Sequence, residues 1–489
     1  MGNLIKNELI KIFRKKSVYI ILIVMFLFMI LTNCIYRYMY SDVISEEYRL
    51  DDTYISEARE NIKDIDTNLN SENRNYYINT KTDVDYYDLY KKYDKNSWQA
   101  YIIKRDFYNY LYECNVYKYG TPTDKAAFAE NPENVLNKKI ESLNVSDWKQ
   151  YVNEEMNVIK NQITELKEEK SQLPKDSSEI KSLDGEIKNL ETKLGFYNMR
   201  IEKNIPYGND YLNNALDTII NSIGMDYSYD EPNMSYREKV EKQQDIQQVE
   251  KAKYILDNKK DINNNGTARG VLLNMFTEYS LFLIVFVAMI LGGMISSELE
   301  KGTIKMLLVK PYTRGKILLS KYIVSLLMIV FIFVTAVLMQ TVIGGLMFGF
   351  DSLSIPVVEY NFNTNSIVTY NVFAYVGLLA LCNLPMYILL GTLAFTLSSL
   401  FGNSVISIVL PIMGSAAGSI INQLAISRSI KQVAISPTLN WDFTEYLFGR
   451  LPSYEFTNFK FAIGVCVAYW GIMMVISYIS FKKREIKNI

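Results

Sequence analysis

The stretch "LIVFVAMILGGMISSELEKGTIKMLLVKPYTRGKILLSKYIVSLLMIVF", Leu283–Phe331, decides how the chain is read. Two long apolar runs flank a short segment, Ser297–Lys321, that is crowded with Lys and Arg and punctuated by Gly302 and Pro311. A helix needs about 20 mainly apolar residues to cross the hydrocarbon core of a bilayer. Apolar, charged, apolar therefore reads as a span, a loop at the membrane surface and a second span. The same criterion predicts six spans in all, at 18–38, 270–296, 317–350, 370–400, 405–424 and 461–481. The third and fourth are long enough to tilt or to extend beyond the lipid.

Charge divides the chain in the same way. Residues 41–268 carry 43 Asp/Glu and 31 Lys/Arg, a net of −12, whereas the other 261 residues carry 10 and 21, a net of +11. This predicts an all-α membrane protein in which residues 39–269 form a large, mainly helical aqueous domain between the first two spans. Lys and Arg near span ends mark the cytoplasmic side. They cluster before the first span (Lys6, Lys11, Arg14, Lys15, Lys16), in 297–316 and in the tail 482–489, while 351–371 has none. Both termini and 297–316 are therefore expected in the cytoplasm, and residues 41–268 outside a bacterial cell. The first apolar run is too long for a cleaved signal peptide and no A-x-A-like site follows it, so it reads as a retained anchor. Ahead of it, Ile5, Leu9, Ile12 and Phe13 share one helical face, which predicts an interfacial amphipathic helix over 1–17; a plain basic flank is the alternative.

The composition also excludes chemistries. There is no histidine, hence no His general base, His metal site or Ser-His-Asp triad. Cys34, Cys382 and Cys466 lie in apolar segments, where free Cys behaves as a small hydrophobe; Cys114 is alone in the aqueous block, which leaves that domain without an internal disulfide. No G-x-x-x-x-G-K-[ST] phosphate loop occurs, and neither a catalytic residue nor a metal-ligand set stands out. "DINNNG", Asp261–Gly266, begins like a calcium loop, but the twelfth position is Leu272 and not Glu, so a turn is expected. Arg37, Glu278 and Lys321 lie near span ends and are expected to reach the interface. The spans thus lack the buried ionisable groups of a self-powered carrier. Gly414 with Gly418 and Gly345 with Gly349 have helix-packing spacing, within one subunit or at a dimer seam.

In the aqueous block, Met156, Ile159, Ile163 and Leu166 step by three and four. After Pro174 the pattern resumes with Ile180, Leu183, Ile187, Leu190, Leu194, Tyr197 and Ile201. This predicts a coiled-coil hairpin over about 152–203, with Ser177 or Ser178 capping its second arm. The Tyr-rich segment around Leu111–Gly120 reads as core.

Glu298, Gly302, Thr303, Leu307, Leu308, Pro311, Arg314 and Lys321 follow, in order, a pattern that resembles the loop after the second span in ABC-2-type ABC transporter permeases. The basic N-terminal helix, the six spans and the aromatic segment 425–460 also resemble that family. The likeness covers residues 1–40 and 270–489. It implies a permease without its own ATPase, pairing with a second permease copy in a homodimer or heterodimer and recruiting two copies of a cytoplasmic ABC ATPase, which would hold ATP and Mg. The chain itself is expected to bind no cofactor and no nucleic acid, only membrane lipid and its cargo. The resemblance makes 297–316 a coupling helix. Gly302 and Thr303 would start it, and Ile304, Leu307 and Leu308 would offer an apolar face to a groove on the partner. Glu298, Glu300, Lys301 and Lys305 would pair with the groove's rim, Pro311 would end the helix, and Thr313 would cap the third span. Trp441, Phe443, Tyr446 and Phe448 would line a re-entrant segment at the exit; an interfacial aromatic belt is the alternative. An amphipathic cargo, a peptide toxin or antimicrobial peptide first, fits the apolar spans. A surface receptor and an exporter of Na⁺ or small drugs are the competing readings.

Overall fold

The structure is a computed structural model that describes residues 1–39, 48–66, 69–70, 72–174, 179–208, 210–224, 234–304, 312–428, 430–452, 454–455 and 457–484. It is helical almost throughout and falls into two compact units. One comprises residues 1–40, 231–247 and 262–489, the other 41–230 and 248–261.

The first unit holds six helices long and apolar enough to cross a membrane: Lys16–Met39, Ser280–Glu300, Arg314–Phe348, Val372–Phe401, Ser404–Ser427 and Phe459–Lys483. Each presents two kinds of surface. In the first span Val18, Met25, Met29 and Asn33 form one buried stripe, while Ile20, Ile23, Leu27 and Leu31 point outward and are exposed. Apolar side chains left this exposed on every span suit lipid as the solvent. The second span is the most enclosed and lies against the fourth and fifth. Small residues allow this. A Cβ on Gly292 would stand 2.8 Å from the Ser407 carbonyl oxygen, and one on Gly391 would stand 2.4 Å from Leu291. Gly345 and Gly418 are packing positions within this chain, against Phe350 and Thr438, whereas Gly414 faces open space.

Two local features depart from the sequence reading. Residues 268–278 are not part of the second span. They form short helices, Ala268–Leu273 and Met275–Glu278, the first N-capped by Thr267 and ended at Asn274. Hydropathy runs on unbroken through this region because capping is set by single polar side chains that a window average hides. Residues 357–370 form a β-hairpin, Val357–Asn361 antiparallel to Ser366–Tyr370 with Val357 opposite Tyr370. Its strands are rich in Val, Ile and Tyr, which suit a pleated surface.

The second unit has a tyrosine-rich core. Tyr86, Ile102, Ile103, Phe107, Tyr151, Val152 and Tyr207 are all buried there. Leu111 joins them, but the tyrosines beside it do not fill the core as expected: Tyr112 is exposed and Tyr110, Tyr117 and Tyr119 are half-buried. Helices Trp148–Gln172 and Glu179–Glu202 pack on one another through Ile159, Ile163 and Ile187. Lys167 pairs with Glu191 while Lys170 pairs with Asp184, so the two run antiparallel. The expected caps Ser177 and Ser178 lie outside the described residues.

Candidate functional site

At the end of the bundle that carries the N-terminal helix, four charged side chains meet. Lys321, in the third span, is fully buried. Its Nζ lies 2.9 Å from Glu8 Oε2, 2.8 Å from Glu298 Oε1 and 3.4 Å from the Met294 carbonyl oxygen. Lys11 closes the set, 3.0 Å from Glu8 and 3.1 Å from Glu298. Lys321 therefore does not reach the interface as its position suggested. Two carboxylates turn it inward, because a buried ammonium is tolerated only when paired and hydrogen-bonded. Glu298 Oε2 is buried without a partner among the described residues. Burial alone would raise the pKa of Glu8, but the ammonium of Lys321 and that of Lys11 outweigh it and hold the carboxyl below its ordinary value. Burial, with Lys321 close by, holds Lys15 below the usual lysine range.

The N-terminal helix, Gly2–Phe13, is placed by this cluster. Leu4, Glu8 and Ile12 are its buried residues. Ile5, Leu9 and Phe13 are half-buried against the same core, and the Phe13 ring meets Phe331 edge-on at 5.1 Å. The expected apolar face exists, but it runs along the third span and includes an acid. Glu8 is not legible in the sequence, because a lone acid carries no apolar signal.

Side chains also close helix ends here. Glu300 Oε1 accepts from the Ser404 backbone N–H at 2.7 Å, and Oε2 from the Ser404 hydroxyl at 2.9 Å, which adds an acidic cap to the start of the fifth span. Arg484 donates to the Ser399 carbonyl at 2.8 Å, at the end of the fourth span. Arg314 donates to the Lys482 carbonyl at 2.8 Å, at the end of the sixth. Thr313 caps the third span, as its position predicts.

The residues expected to couple to a partner are thus placed as follows. Glu298 and Glu300 are engaged inside the chain, with Lys11 and Lys321 and with Ser404. Gly302, at φ +68°, ends the second span, Thr303 donates back to the Glu298 carbonyl, and the chain is helical again at Ile304, as expected of a turn that starts a helix. Ile304 is 2% exposed within the bundle core, so it is no part of an open face. Lys305, Leu307, Leu308 and Pro311 lie outside the described residues. Arg314 belongs to the first turn of the third span.

The opposite end of the bundle holds the aromatic segment. Trp441 is buried. Phe443 and Tyr446 meet Phe459, with ring centroids at 5.2 and 5.9 Å. Phe448 stacks on Tyr375 at 6.4 Å and adopts φ +60°, a conformation costly for an aromatic residue. Its carbonyl accepts from the Phe362 N–H in the hairpin turn at 2.8 Å. Beside it, buried Glu359 of the hairpin pairs with Arg450 at 2.8 Å and accepts from the Tyr375 hydroxyl at 2.9 Å and Gln247 at 2.6 Å. These aromatics are fixed by packing within the bundle. Between the two ends, Tyr322, Pro385, Phe443, Cys466 and Trp470 line an apolar groove of about 330 Å³, in which Trp470 Nε1 donates to the Tyr322 hydroxyl at 2.7 Å. The first and third spans share a reciprocal amide pair: Asn33 and Gln340, both fully buried, each donate to the other at 3.2 Å. Both side chains are neutral, so neither stands out among the ionisable residues of the spans.

Residues 242–487, about half of the chain, match the family described as "Protein of unknown function (DUF2705)". The chain belongs to this family. The DUF2705 match takes in the second to sixth spans, the hairpin and the aromatic segment, and leaves out residues 41–230. Two Bacillus subtilis (strain 168) proteins are similar. "Uncharacterized protein YhcI" is 25% identical over 204 residues, 42% of this chain and 64% of that protein. "Uncharacterized membrane protein YdbK" is 24% identical over 208 residues, 42% of this chain and 79% of that protein. The match thus spans less than two thirds of YhcI's length. No solved structure matches significantly. Six apolar helices and a membrane-protein relative identify this DUF2705 chain as a multi-pass membrane protein.

Proposed function

We propose that the chain is the permease subunit of an ATP-driven ABC exporter of the ABC-2 type, moving an amphipathic cargo, a peptide first among them, out of a bacterial cell. One observation carries the reading. The segment between the second and third spans is closed at its base by the cluster of Glu8, Lys11, Glu298 and Lys321, which ties both spans and the N-terminal helix together. A partner that pushes on Leu307 and Leu308 then moves three helices and not a loose loop. A chain without a phosphate loop needs such a partner to do work. In this reading both termini and 297–316 lie in the cytoplasm, and residues 41–268 outside, with the packed helices 148–172 and 179–202 forming a coiled-coil arm. The apolar groove at Trp470 and the aromatic segment suit an amphipathic cargo. A second permease copy completes the path.

The test is co-purification. The wild-type chain brings down a cytoplasmic ATPase, and Leu307→Asp abolishes this without lowering the yield of the permease. If no ATPase accompanies the wild type, or Leu307→Asp retains it, the reading fails. Lys321→Met separates capture from transmission, because it should keep the ATPase bound while cargo no longer stimulates hydrolysis.

A further inference from the structure

The second unit contains a cleft of about 820 Å³. Among its lining residues, Tyr151, Phe196, Arg200, Tyr207 and Leu216 are buried, whereas Glu113 and Lys193 are exposed. Basic and acidic side chains are equal in number around it, four of each. Most of these cancel locally. Arg105 donates to both oxygens of Asp106, at 2.8 and 2.9 Å, and Lys139 lies 2.7 Å from both oxygens of Glu155.

Arg200 differs. It is 2% exposed, and its Nη1 donates only to the neutral oxygens of Asn213, at 2.8 Å, and Ile205, at 3.2 Å. Its guanidinium lies 3.8 Å over the Tyr207 ring. No carboxylate pairs with it among the described residues. A guanidinium taken out of water without a counter-ion is costly, and an anion is what relieves it. The Tyr207 hydroxyl is a second orphan, buried with no hydrogen-bond partner among the described residues. Burial pushes this phenol up to about 12, so near neutral pH it is a donor. A buried cation with only neutral acceptors and a buried donor with none are in contact with each other, in the wall of a cleft. A carboxylate has two oxygens and satisfies both. The flanking rings of Tyr151, Phe196 and Tyr207 offer stacking surface to a flat or apolar body. With Arg200 counted the lining is neutral, which suits one negative charge rather than a polyphosphate.

We propose that this cleft binds a carboxylate carried on an aromatic or apolar body, either a free aromatic acid or the C-terminus of a peptide. The inference goes beyond the exporter reading and does not need it, since binding is measured with no ATPase present. The full chain in detergent is titrated calorimetrically with N-acetyl-L-phenylalanine and with its uncharged amide. The acid should bind about tenfold or more tighter than the amide, the usual scale of one charge-assisted contact. Tyr207→Phe should keep the melting temperature yet narrow that ratio several-fold, which a purely structural tyrosine would not do. Arg200→Lys should remove most of the remaining preference. The tripeptide Ala-Ala-Phe then distinguishes the sources: tighter binding than the acetylated amino acid assigns a peptide C-terminus, weaker binding a small acid. Equal affinity for acid and amide, or an unchanged ratio in Tyr207→Phe, overturns the proposal.

Discussion

Lys321 concentrates the energetic argument at the residue scale. A lysine ammonium with no exposure, held between two carboxylates, gains little as a pair over an apolar substitute. Removing one partner, by contrast, strands the others. Lys321→Met should therefore cost about 3–5 kcal/mol, read as a lowered melting temperature in detergent. Adding Glu8→Gln and Glu298→Gln should recover much of it, and a triple variant no more stable than Lys321→Met would show that the charges are not coupled. The same cluster sets a pH dependence. Glu8 is held below its unfolded value of 4.5, so its contribution is present above that pH. It is lost as pH falls through the lower folded value. Melting temperature should stay level from pH 7 to 5 and drop below about pH 4, and Glu8→Gln should flatten that drop.

The elements divide into those a sequence can announce and those it cannot. Hydropathy announces the spans because lipid demands a long, unbroken apolar run, and it placed all six. Heptad spacing announced the packing of Ile159, Ile163 and Ile187 for a similar reason, since burial repeats along a helix. The hairpin was not legible, because five-residue strands leave too short a pattern beside two long spans. Nor was the candidate site. Glu8, Glu298 and Lys321 are far apart in sequence, and each alone reads as a surface charge. The helix-end contacts are hidden in the same way. Glu300 looked like a rim residue, yet it holds the start of the fifth span through Ser404. Glu300→Ala should loosen that turn by about 1 kcal/mol, the usual worth of a cap. Faster amide hydrogen exchange at 404–407, with 372–401 unchanged, is the expected result; unchanged exchange at Ser404 would mean that Asn403 caps the helix unaided.

For the whole molecule the open quantity is which way the chain faces, and charge supplies a specific expectation. The segment 297–316 carries Lys301, Lys305, Lys310, Arg314 and Lys316, and the stretch 351–371 carries no Lys or Arg. Basic residues close to span ends resist translocation, whereas a long acidic domain crosses largely regardless of its charge. The net of −12 on residues 41–268 therefore does not oppose an outside location, and the short loops decide. Native cysteines do not interfere once replaced, because three of the four are buried and Cys34 lies in a span. In a cysteine-free background, Asn144→Cys and Lys301→Cys put one thiol each on exposed positions of the second unit and of the basic stretch. A membrane-impermeant maleimide should label Asn144→Cys in intact cells, and Lys301→Cys only after the membrane is opened. The reverse pattern would invert the topology and put Leu307 and Leu308 beyond the reach of any cytoplasmic ATPase. Labelling of both in intact cells would be incompatible with a single orientation. The exporter proposal thus stands or falls with five basic side chains, because they set the side on which the partner is met.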